Sequence, residues 1–221
     1  MTSGDYRKQG DNGTASDDRS RPYHHGDLRA ALIQAGLAIL AEEGVQALTL
    51  RAAARRAGVS HNAPYRHFAD KEALLAAIAE EGFDELARRL EEARARSHLS
   101  AQVQLEETGW TYVQFALTHP DHVRVMFGSL ISDPQAYPSL RAAGARAFNP
   151  LIEILRAGQG TGTVIAGNPR QLAFSAWAMV HGLALLLIER QLPHDLLAAE
   201  SVESLVRLSL RQHYEGLGLH A

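Results

Sequence analysis

Asn62 carries a side chain that can form two hydrogen bonds with the edge of an adenine, and Ala63 beside it can meet a thymine methyl. His61 completes an exposed-type triplet, and Tyr65, Arg66, His67 and Lys71 follow at once. A phenol, a guanidinium, an imidazole and an ammonium are the groups that grip phosphate oxygens, contacts that set register rather than sequence. Thr49 lies upstream; its hydroxyl suits a helix cap and a phosphate contact almost equally. The chemistry of this stretch is recognition, not bond-making. No Gly-x-Ser-x-Gly elbow, phosphate loop or framed carboxylate pair occurs, so no catalytic residue, enzyme activity or cofactor is expected. Gly158-Gln159-Gly160-Thr161-Gly162 is glycine-rich, but no strand precedes it to make a nucleotide cradle. The pairs His24/His25, His61/His67 and His119/His122 lack a third and fourth ligand, so no metal site is expected.

Two short helical patterns must hold the recognition residues. Thr49 can cap the first, Gly58 can end it in the left-handed conformation, and the hydroxyl of Ser60 can cap a second that runs to about Phe68. Pro64 is tolerable there because it deletes only the bond back to the Ser60 carbonyl. Phe68 reads as core. An earlier helix, about Asp27–Glu43, carries Leu28, Leu32, Ala35 and Ile39 on one face, with Asp27 as cap and Gly44 as stop. Asp70 can cap a longer helix through Leu74, Leu75, Ile78, Leu86 and Leu90, and Gly82 is a place for it to bend. This is the layout of a helix-turn-helix, whose second helix enters the DNA major groove.

Beyond Ser100, Pro and Gly divide further helices at about Ala101–Thr118, from Pro120, and at about Tyr137–Ala157. A loop to Gly167 follows, then Asn168-Pro169 opens a helix to about Gln191, and a last one covers about Leu196–Glu215. No period-2 strand or internal repeat is visible, so the fold class is all-α. Residues 1–22 are polar and rich in Gly, Ser and Asp and read as a disordered tail. Residues 23–70 form the DNA-binding unit, and 71–221 a larger helical domain.

The 221 residues are 46% hydrophobic and 21% charged, which suits a globular body. The longest apolar run, Leu183–Ile188, is too short to span a bilayer, no signal core begins the chain, and cysteine is absent. A cytoplasmic protein without a membrane partner is the expectation. The net charge of −3 is unevenly placed: seven basic against four acidic residues from Arg21 to Lys71 leave that segment at +3. A basic head on an acidic body is what contact with phosphates at one end requires.

The stretch Leu48–Ser60 followed by Pro64–Leu75 resembles the DNA-binding signature of TetR-type transcriptional regulators. Tyr23-His24-His25-Gly26-Asp27-Leu28 is similar to the start of the first helix in one branch of that family. Trp177, His181 and Gly182 resemble the Trp-His-Gly element of that branch's C-terminal domain, and His119-Pro120 with Met126-Phe127 fits it too. Ala53 stands where a larger aliphatic is usual, and Arg66 where many members have an aromatic. The resemblance implies an all-helical homodimer joined through its last two long helices. It also implies a small-molecule effector whose binding releases double-stranded operator DNA. An activator or a regulator without an effector is the alternative, and a helical adaptor or enzyme a remote one.

Trp110, Phe115, Met126, Phe127, Phe148 and Phe174 are the bulky apolar set of the larger domain. The first five, with Trp177 and His181 one helical turn apart, are the candidates for the effector pocket. Each suits a packed core as well as a pocket wall, and His181 fits a satisfied core histidine as well as a placed polar group.

Overall fold

The computed structural model describes residues 25–96, 100–193, 195–196 and 201–217. The expected disordered tail therefore lies outside the described residues, as do Tyr23 and His24. Every regular element among the described residues is helical: α1 (His25–Glu43), α2 (Leu50–Arg56), α3 (Lys71–Arg96), α4 (Ala101–Thr118), α5 (Pro120–Phe127), α6 (Pro138–Gly160), α7 (Pro169–Ile188) and α8 (Val202–Leu217). Two single turns of 3₁₀ helix, Pro64–Arg66 and Pro134–Ala136, complete the set.

Local chemistry sets most boundaries. Gly44, at φ +80°, ends α1 with its N–H on the carbonyls of Ile39 and Leu40. The Thr49 hydroxyl accepts from the Ala52 amide at 3.0 Å and starts α2. Gly58, at φ +69°, closes it: Val59 N–H reaches the Ala54 carbonyl and Gly58 N–H the Arg55 carbonyl, two bonds that only a left-handed residue permits here. Asp70 accepts from Ala73 N at 2.8 Å and Asn168 from Arg170 N at 3.0 Å, opening α3 and α7.

The expected helix from Ser60 to Phe68 does not form as such. Pro64 has no N–H to give the Ser60 carbonyl, which instead takes the Ala63 amide at 3.0 Å. The chain tightens into a turn and then the 3₁₀ segment, and the Ser60 hydroxyl caps nothing. Gly82 also has another use than bending. A Cβ there would lie 2.6 Å from Met126 Sδ and 2.9 Å from His122 Cδ2, so the missing side chain lets α5 close on α3.

Two cores share α3. Its first half, with Leu74, Leu75 and Ile78, packs with Leu32, Ile39, Leu48, Ala53 and Phe68 to fix the head. Its second half, with Leu86 and Leu90, joins Leu105, Val113, Ala176, Val180 and Leu210 in the body. Ala53 is fully buried in the head core, a small residue where α2 meets α1. α5 belongs to both cores: Val125 faces the head, Val123 the body.

α7 is apolar along most of its length. Polar residues interrupt its apolar run, yet over 18 residues its mean hydropathy is 1.7, long and apolar enough to cross a membrane by composition. Ala173, Ala176, Val180 and Ala184 turn into the body. Phe174, Leu185 and Leu186 stay exposed, as does Leu208 on α8.

Candidate nucleic-acid interface and ligand cavity

The start of α2 and the turn after Gly58 form the exposed end of the head. Thr49, His61, Asn62, Tyr65 and Arg66 are exposed, and Ala63 is half-buried between them. The tight turn projects His61 and Asn62 from irregular backbone rather than from a helix flank. Tyr65 is 53% exposed, a large ring that the core does not take. Phe68, three residues on, is buried, with the Arg29 guanidinium 5.9 Å from its ring centre.

Two of the expected phosphate groups face partly inward. The Lys71 ammonium donates to the Val45 carbonyl at 2.5 Å, tying the α1–α2 turn to the start of α3. His67 is half-buried, and its Nε2 is buried without a hydrogen-bond partner. Charge that the residue-type reading passed over stands on α2. Arg56 is engaged by Glu42 and lies 3.7 Å from Glu43, but Arg51 and Arg55, one turn apart on the exposed face, have no carboxylate partner. Arg66 has none either, and no acidic residue occurs between Gly44 and Ala69. The spacing i, i+4 could have flagged Arg51 and Arg55; that Arg56 alone is paired depends on how α2 crosses α1.

Thr49 separates two roles by experiment. Its cap bond is present in the structure, so Thr49→Ala is expected to cost about 1 kcal/mol of stability, read by urea denaturation. Thr49→Ser should restore it. Thr49→Asp should also restore the cap but repel a phosphate, so a DNA-affinity loss in that variant at full stability would mark a phosphate contact as well.

In the body, a cavity of about 310 Å³ opens between α3, α4, α5, α6, α7 and α8. Of the expected pocket residues, Phe127, Phe148 and Trp177 line it. Trp110, Phe115, Met126 and His181 are not among its walls. Phe115 is fully buried core, its ring stacked 4.8 Å from His119 and capped by Arg89. Met126 fills the notch at Gly82. Trp110 is half-buried against the body core. His181 sits behind the wall, stacked 4.9 Å from Trp177 and tilted against Phe127 at 4.6 Å. Residues that sequence reasoning missed, Phe83, Leu86, Leu105, Tyr112 and Leu210, complete the lining, together with Phe174.

Tyr112 joins the cavity to His181, its hydroxyl 2.6 Å from His181 Nδ1. Burial raises the Tyr112 pKa well above the usual phenol value, against a smaller opposing hydrogen bond from Trp177. Burial also lowers that of His181. The phenol and the imidazole are therefore both favoured in their neutral forms and share one hydrogen bond. His122 and His213 are lowered by burial as well. A depressed histidine pKa contributes stability above the unfolded value of about 6.5 that is lost as pH falls through the folded one. The melting temperature should thus drop as pH goes from 7.5 to 5.5, and His122→Gln should flatten that slope; an unchanged slope in the variant would contradict the assignment.

Comparison with known proteins agrees with both halves. A family model described as bacterial regulatory proteins, tetR family, matches residues 32–78. A second, described as tetracyclin repressor-like, C-terminal domain, matches residues 105–208. No curated protein matches the chain. Among solved structures, a protein with unknown function from Rhodococcus sp. RHA1 is 34% identical, with 90% of this chain and 100% of that one covered at a TM-score of 0.77. A bacterial regulatory protein in the tetR family from Rhodococcus RHA1 is 20% identical, covering 88% and 98% at 0.68. A TetR family transcription regulator from Marinobacter aquaeolei VT8 is 19% identical, covering 86% and 95% at 0.67.

Proposed function

We propose that this chain, which belongs to the TetR family of bacterial transcriptional regulators, is a homodimeric repressor released from an inverted-repeat operator by a small-molecule effector. The observation that carries the DNA-binding part is the cluster Arg51, Arg55 and Arg66. These are unpaired cations around exposed Asn62 and Tyr65, in a stretch free of carboxylates. Phosphates would meet the arginines, Thr49 and Tyr65, while His61, Asn62 and Ala63 reach base edges. Lys71 and His67 act closer to the scaffold, with Lys71 holding the turn that orients α2.

The dimer is supported by the outward face of α7 and α8. Phe174, Leu185, Leu186 and Leu208 form an apolar surface that a second copy can cover across a two-fold axis. Gly182 fits the same face: no atom lies within 4 Å of where its Cβ would be, which leaves room for a partner's backbone. Trp177, His181 and Gly182 thus divide the work of the Trp-His-Gly element among cavity wall, support and interface. The cavity supports the effector, and α5 links it to the head, with Phe127 in the wall and Val125 in the head core.

A gel shift with DNA from upstream of the protein's own gene tests the reading. A shifted band that specific competitor removes and scrambled competitor does not is the expected result. Asn62→Ala should narrow that discrimination while leaving the salt dependence unchanged. Equal binding of both DNAs by the wild type would contradict sequence-specific recognition.

A further inference from the structure

Among the described residues, the cavity walls carry no charged side chain: none of those that line it is Lys, Arg, His, Asp or Glu. Only two wall residues bear hydroxyls, and both are occupied. Thr108 Oγ1 donates back into its own helix, 2.8 Å from the Gln104 carbonyl and 3.2 Å from that of Leu105. The Tyr112 hydroxyl is held on His181 Nδ1 at 2.6 Å, and the stacked Trp177 ring and the tilted Phe127 ring fix that imidazole behind the wall. The Trp177 indole N–H, also on the wall, is turned to the Tyr112 hydroxyl. An occupant therefore meets mostly aromatic and aliphatic carbon, and no cation awaits an anionic group.

The geometry points to an uncharged, largely apolar effector, compact enough for about 310 Å³ and bound without a salt bridge. That volume is at the small end of ligand sites, which run from about 300 to 1,000 Å³. An ionised carboxylate or ammonium would lose its hydration without compensation, and a buried isolated charge is the most heavily penalised group in such a site. Phe174 lines the cavity yet is 59% exposed, so the cavity reaches the α7 surface that the dimer would cover. This inference rests on the reading of the cavity as the effector site.

Matched probes on one skeleton test it: n-butylbenzene, 4-phenylbutanol, 4-phenylbutyrate and 4-phenylbutylammonium, titrated into the full-length protein by calorimetry at pH 7.5. The two neutral probes should bind within about tenfold of each other, and both ions at least about a hundredfold more weakly. Either ion within tenfold of the neutral probes, or no neutral binding up to the solubility limit, would overturn the inference. Gly144→Leu places the blocking side chain. A Cβ at Gly144 meets only the Phe83 ring, at 3.9–4.0 Å, so leucine fills the cavity without a backbone collision. Removing a helical glycine also favours the fold. The variant, with Ala147→Leu as a second filling change, should keep its melting temperature and lose neutral-probe binding. Undiminished binding in both folded variants would place the probe elsewhere and overturn the inference. The same probes in the gel shift separate the two levels. Neutral binding without DNA release leaves the ligand class standing and removes the effector reading; an ion that binds tightly and releases DNA does the reverse.

Discussion

Replacing Arg51, Arg55 and Arg66 together by alanine is expected to weaken binding to any duplex DNA by about a thousandfold or more at 50 mM salt. Each guanidinium that neutralises a phosphate releases a counterion, so affinity falls with salt at a log–log slope of about 0.9 per contact. Three arginines on each of two heads make six contacts, and their loss should flatten the slope by about five. All three are exposed and unpaired, so their removal leaves no buried charge behind and the melting temperature should hold. Arg56→Ala is the internal control. Its guanidinium is already committed to Glu42 and Glu43, and its loss should change the slope by less than one contact. Fluorescence anisotropy over a salt series measures both. A triple variant with the wild-type slope would remove this face from the interface.

The second large effect concerns assembly. Leu185→Asp combined with Leu208→Asp should convert the dimer to a monomer at micromolar concentration, as read by sedimentation velocity. Across a two-fold interface each substitution counts twice. Covering the exposed part of each leucine contributes about 1 kcal/mol, and the four aspartates would in addition have to lose their hydration at the interface, which together exceeds the margin of a micromolar dimer. Both positions are already open to water in the single chain, at 37% and 47% exposure, so the substitutions should leave the helices intact. Operator binding should collapse with the dimer while weak non-specific binding persists, because each head keeps its arginines. A variant that stays dimeric would move the interface to another face.

The fold was largely legible because its punctuation is local. The Thr49 cap, the Gly44 and Gly58 stops, the Asp70 cap and the Asn168-Pro169 start each act within a few residues, and all appear where the sequence places them. The segment after Ser60 was legible only in part: the lost Pro64 N–H is local, but how the freed Ser60 carbonyl finds another donor is a choice between two geometries. The site was less legible, since it depends on contacts between distant residues. Lys71 reaches Val45, and Glu42 takes Arg56 while sparing Arg51 and Arg55. Residue type did not distinguish Phe115 from Phe148, yet one is core and the other cavity wall. Helical periodicity assigns a side to each ring, not the place where packing leaves a void. The Tyr112–His181 bond spans 69 positions and leaves no local trace.

The central claim is that two copies of the Arg51–Arg66 surface read symmetric DNA. Selection from a random-sequence duplex pool by the purified protein tests it most directly. Enrichment of an inverted repeat with half-site centres about 34–36 Å apart, one helical turn, or a multiple of it is expected, with loss of that enrichment in the triple arginine variant. Recovery of unenriched sequence, or of a single asymmetric site bound equally well by the variant, would contradict it.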